Sequence, residues 1–201
     1  MMRRLHSTVF LLTLTLAACT APPPPPDRFY RVEPPPPAAR FVKPPLAGVL
    51  EVGRLTSDGA VAERALAFVT HENGPLGHYK YDLWSESPSV MIQDRLAQYL
   101  TLAGAAEKVV TPELQVPPDW ILRGKVRRFE QLASGTQVVV EIQLAVTSAR
   151  DGQLVLQDTY TAQVAAPSSS VEAAAAAFES GVSEVFVRFT ADLGRARGIG
   201  R

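Results

Sequence analysis

The sequence predicts an α+β domain: a mainly antiparallel sheet with two helices packed on one face, preceded by a lipidated Pro-rich tether. Three observations predict it. Val138, Val140, Ile142, Leu144 and Val146 alternate without a break, the period-two pattern of a strand with one buried face. Two segments, one opening at Pro88 and one following Pro167, instead repeat apolar residues at helical spacing. Runs with strand character separate these two, the element order in which helices gather on one side of a sheet.

The first element is an address. Arg3 and Arg4, an apolar stretch from Val9 to Leu16, and the small residues Ala17 and Ala18 lay out a secretory signal peptide over residues 1–18. That stretch is too short to span a membrane. Leu16-Ala17-Ala18-Cys19 resembles the lipobox of bacterial lipoproteins, which implies cleavage before Cys19 and lipid on its sulfur and new amino terminus. Thr20 in place of an aspartate implies, by the same resemblance, delivery to the outer membrane. Eleven of the 17 prolines then fall between Pro22 and Pro45, a density that forbids helix and favours polyproline II. Residues 19–45 therefore read as a semi-rigid tether reaching at most about 80 Å. Phe29-Tyr30-Arg31-Val32 interrupts the prolines and reads as a first strand that docks on the domain.

The domain itself is placed at 46–194, with a tail over 195–201. Leu46–Val52, Arg64–Thr70 and Tyr79–Trp84 read as strands, the last two joined by a turn at Asn73–Gly77. Ser87-Pro88 supplies an N-cap and a first-turn proline, and Ile92, Leu96, Tyr99, Leu100 and Ala103 carry a helix to Gly104. After Pro117-Pro118, Trp120–Glu130 is a strand, followed by the alternating one. Ala149–Gly152 turns the chain into a partner strand bearing Leu154, Leu156, Tyr160, Ala162 and Val164, so three strands form a meander. Ser169 and Glu172 stand in capping-box spacing, and Phe178, Val182, Val185, Phe189 and Leu193 stripe the last helix. Its alanines from Ala173 to Ala177 suit close approach to a sheet or to a partner helix. Glu141, Gln143, Gln157, Thr159 and Thr161 leave the other sheet face polar.

Composition narrows the function. Lys+Arg and Asp+Glu both total 20, so the chain has no basic field for a nucleic-acid backbone, and no nucleic-acid partner is expected. A single cysteine excludes an intrachain disulfide and a cysteine-based zinc site. No glycine-rich loop ends in Gly-Lys-Ser/Thr and no Gly-x-Ser-x-Gly elbow occurs, so the chain is read as non-catalytic and without cofactor. His71 and His78 flank the proposed turn near Glu72, but they lack the spacing of a zinc-protease helix and read as solvated, with no metal. Tyr79, Tyr81 and Trp84 with Glu86 form the densest aromatic cluster. Tyr79 and Tyr81 share one strand face, either core or contact platform, and Tyr81, Trp84 and Glu86 are the candidate partner-binding residues. Arg123, Lys125 and Arg127 alternate as a basic stripe, a solvated face or a dock for an acidic partner.

Taken together, Phe29-Tyr30-Arg31-Val32 after the lipobox, Tyr81-Asp82-Leu83-Trp84-Ser85-Glu86-Ser87-Pro88 opening a helix that runs through Asp94-Arg95-Leu96, Val126-Arg127-Arg128-Phe129-Glu130, the Asp151-Gly152 turn and the alanine-rich last helix recur in one order. In that order the chain resembles the ABC-type transport auxiliary lipoprotein family, which includes the paraquat-inducible protein C-like lipoproteins. The resemblance implies a non-catalytic part of a lipid-transport apparatus, in which an inner-membrane ABC transporter works with a mammalian-cell-entry (MCE) domain protein. The auxiliary lipoprotein, lipid-anchored at the periplasmic face of the outer membrane, docks that MCE protein there, singly or as a homo-oligomeric ring. The alternative is a structural or assembly lipoprotein of the envelope with no transport role.

Overall fold

The computed structural model describes residues 23–198. The expected signal peptide and the expected lipidation site, Cys19, lie outside the described residues. The strands are β1 (Arg28–Tyr30), β2 (Leu46–Val52), β3 (Thr56–Ser57), β4 (Ala65–Val69), β5 (Leu76–Trp84), β6 (Ala106–Val110), β7 (Trp120–Gln131), β8 (Gln137–Ser148) and β9 (Leu154–Ala165). Helix α1 (Pro88–Ala103) follows β5, and α2 (Val171–Ala196) follows β9.

β7 is the axis of the sheet. On one edge it carries the expected antiparallel meander of β8 and β9. On the other, successive pieces of one stretch of chain, β2, β3 and β4, each pair with it in parallel. β2 continues in parallel to β6, β4 antiparallel to β5, and β5 parallel to β1. Among the described residues five of the eight strand pairings are parallel, so the sheet is mixed and not mainly antiparallel. The reason is physical: alternation tells which face a side chain takes, and is the same whichever way the neighbouring strand runs. Helix α1 is the crossover that brings the chain from the first sheet arm back to β6 beside β2.

The alternating residues of β8 are all fully buried, as are Phe178, Val182, Val185, Phe189 and Leu193 of α2 and Ile92, Leu96 and Leu100 of α1, in one cluster. Helix α2 lies on β8 and β9, and α1 touches α2, β2, β6 and β7. Ala174 and Ala177 are buried in that cluster, which turns the alanine run towards the sheet. A Cβ on Gly181 would stand 2.9 Å from Val140 Cγ2, a measure of how closely helix and strand approach. The cap of α2 is Ser170, whose side chain accepts from Ala173 N, rather than Ser169.

From Arg28 onward the proline-rich segment lies against the domain. Val32 and Phe41 are buried, Phe41 N donates to Ala103 O at 2.9 Å, and Arg95 Nε donates to Val32 O at 3.1 Å. Polyproline backbone leaves its carbonyls free, so side chains such as Arg95 can hold it.

Candidate functional site

The candidate partner-binding residues sit on and just beyond β5. Trp84 is 1% exposed, with its ring centroid 5.2 Å from that of Phe129 and 5.3 Å from that of Phe178. Its indole is core and offers no surface to a partner. Asp82, two residues earlier on the same inward parity, is also buried, whereas Tyr81 is half-buried beneath the Lys80 ammonium and Glu86 is exposed. Tyr79 does not share the environment of Tyr81. It packs on the core beside Phe68 and its hydroxyl donates to Gln131 Oε1 at 2.6 Å, because the register of β5 on β4 shifts between His78 and Leu83.

Asp82 is the buried charge that patterning missed. A carboxylate buried on a strand needs cationic or hydroxyl partners, and it finds them on β1. Arg28 Nη2 stands 2.6 Å from Asp82 Oδ1, and the Tyr30 hydroxyl donates to the same oxygen at 3.1 Å. Arg28 also pairs with Glu172 in the first turn of α2, to which the Tyr30 hydroxyl comes within 3.2 Å. Burial, with the Asp82 hydrogen bond and charge, pushes the Tyr30 phenol up to about 12. A hydrogen bond from its own backbone N–H, aided by Arg28, holds the Glu172 carboxyl below the usual range. The network ties β1 to both β5 and α2. The only signal in the sequence was an acid at an inward position.

Around this latch the surface is open and mixed. Phe29 is 57% exposed with the Arg64 guanidinium 5.5 Å from its ring centroid, and a concavity of about 410 Å³ lined by Arg31, Ser85, Glu86 and Asp94 adjoins it. The histidines are engaged separately: His71 Nδ1 with Glu72 O at 3.1 Å, His78 Nε2 with Ala60 O at 3.1 Å. Among the described residues no group of three or more His, Cys, Asp or Glu is placed to hold a metal. In the basic stripe Lys125 pairs with Asp58, Arg127 donates to Gln143 Oε1 at 2.8 Å, and Arg123 is exposed.

The sequence model of a family described as an ABC-type transport auxiliary lipoprotein component matches residues 30–188, from the end of β1 through most of α2. None of the curated proteins matches the chain. Among solved structures, a Xanthomonas campestris protein is similar at 20% identity, covering 85% of this chain and 98% of its own, with a TM-score of 0.72. An uncharacterised protein of known crystal structure is similar at 14% identity, with the same coverage of 85% and 98% and a TM-score of 0.63. At these identities the likeness is one of fold.

Proposed function

The chain belongs to the family of ABC-type transport auxiliary lipoprotein components, and from that premise we propose that it serves an ABC/MCE-type lipid transport system, docking the periplasmic MCE protein at the outer membrane. The observation that carries this reading is the span of the family match, which runs from the last residue of β1 through the rest of the sheet and α1 to most of α2. Residues 1–18 are removed as a signal peptide and Cys19 carries the lipid. With β1 latched from Arg28, the free tether is the short stretch before it, about 28 Å at most if extended as polyproline II. The domain therefore stands close to its membrane. The face bearing Phe29, Arg31, Tyr81 and Glu86 meets the MCE protein, and Trp84 supports that face from the core.

The test is affinity purification of the full-length lipoprotein from detergent-solubilised envelopes, with mass spectrometry of what accompanies it. Recovery of an MCE-domain protein is expected, and its loss on Tyr81→Ala with Glu86→Lys at unchanged thermal stability. Recovery of the lipoprotein alone, or with peptidoglycan or porins, sinks the docking reading in favour of a structural role.

A further inference from the structure

A second concavity, of about 640 Å³, lies between the tips of two hairpins, the β4–β5 turn at 70–75 and the β7–β8 turn at 132–136. Val69, Leu76, Leu132 and Ala133 give it apolar walls, and Arg127 and Arg128 line it together with Glu72, Gln137 and Gln163. Strand alternation would send two consecutive residues to opposite faces. A bulge in β7 between Val126 and Arg128 brings them to one side.

The floor is built rather than incidental. Arg128 Nε donates to Glu130 Oε1 at 2.7 Å, and Glu130, 3% exposed, also accepts from Phe129 N at 2.9 Å. Glu130 stands in register with Ala67 on β4 and Val139 on β8, and both are buried although neither belongs to the main core cluster. A sheltered apolar row on the far side of the sheet from the helices thus contains one neutralised charge. Arg127 gives one hydrogen bond, to Gln143 Oε1 at 2.8 Å, and among the described residues has no carboxylate within salt-bridge distance. A guanidinium has five N–H donors, so most of its capacity remains for a ligand.

The chain's own N-terminal segment approaches from this end. β1 runs parallel to β5, Arg28 beside Asp82 and Tyr30 beside Trp84, so the chain enters β1 from the Leu76 side of β5. Ser169, just before α2, lies against Gly135 of the β7–β8 turn, and Glu172 of the first α2 turn holds Arg28. Hairpin tips, helix start and tether entry share one end of the molecule.

We propose that this cleft takes a phosphate-headed membrane lipid, its acyl chain between the hairpin tips and its phosphate on Arg127. The choice of a lipid, and of a membrane at this end, rests on the lipid-anchored transport reading. Charge-assisted bonds from arginine to phosphate are the strong ones, and an apolar wall beside them suits an amphiphile over a free ion.

Photocrosslinking of the full-length lipoprotein in cells grown with radioactive phosphate tests it, with a benzophenone amino acid at Ala133 or Leu76. Both are exposed positions that a bulky probe leaves foldable. Ultraviolet-dependent phosphate label on the purified, denatured chain is expected, falling about tenfold with Arg127→Gln. A probe at Ser168, exposed at the same end but outside the cleft, should give background. Equal label at Ser168 means contact with the bilayer surface only and overturns the cleft. Absence of label, or label indifferent to Arg127→Gln, overturns it also. Because the readout needs no MCE protein, label without co-purification sinks the docking reading alone, and co-purification without label sinks this one alone.

Discussion

Asp82 shows how one side chain decides the fate of a whole N-terminal segment. The residue is 6% exposed and its partners, Arg28 and Tyr30, are on a three-residue strand. Asp82→Ala should lower unfolding free energy by about 1–2 kcal/mol, discounted because Arg28 is half exposed, and urea unfolding measures it. The phenol of Tyr30 gives a pH signature. Its folded value of about 12 lies above the ordinary 10.0, so its contribution is complete below pH 10 and is lost as pH rises towards 12. Ultraviolet titration should therefore show a late-ionising phenol that Tyr30→Phe removes. Trp84→Ala should cost about 3–5 kcal/mol, whereas Tyr81→Ala should change stability by less than about 0.5 kcal/mol. That contrast was not legible in the sequence, where both residues belong to one aromatic cluster. Which of them faces inward depends on the register of β5 against β4, and a register shift there reverses parity without leaving a mark in the pattern.

Among elements, α2 approaches β8 closely at Gly181. Gly181→Leu should prevent native packing, because even a Cβ meets Val140 at 2.9 Å; Gly181→Ala should cost about 1–2 kcal/mol, overpacking outweighing the gain in helix propensity. Thermal unfolding of the two variants checks the order. Both helices and the β7–β8–β9 meander were legible, because each buries one continuous face and so writes its period into the sequence. The parallel run of β2, β3 and β4 along β7 was not. β3 is two residues long, the 3-10 turn at Gly59–Ala62 interrupts the run, and neither β3 nor β6 is long enough to establish a period. The spacing of Ser169 and Glu172 placed the cap of α2 one residue too early. The cap is Ser170, whose hydroxyl accepts from Ala173 N, while the Glu172 carboxylate meets Arg28 and Tyr30 beside its own backbone N–H.

For the whole molecule, the docked N-terminal segment is part of the folding unit. A chain beginning at Leu46 should unfold at clearly lower denaturant than one beginning at Pro23, since burial of Val32 and Phe41 alone contributes about 1.5–3 kcal/mol each. Equal midpoints would show that the segment merely rests on the domain. The sequence by itself determined both helices and the meander, because amphipathic periods and their order are local properties that each segment carries wherever it is placed; the family came from the resemblance of its ordered motifs. Only the tertiary structure decided that the sheet is mixed, that Trp84 is core while Glu86 is surface, that the proline-rich segment is latched from Arg28, and that two consecutive arginines line one cleft. Strand direction, register and bulges are set by which distant residues a backbone hydrogen bond meets, and no single segment contains that information.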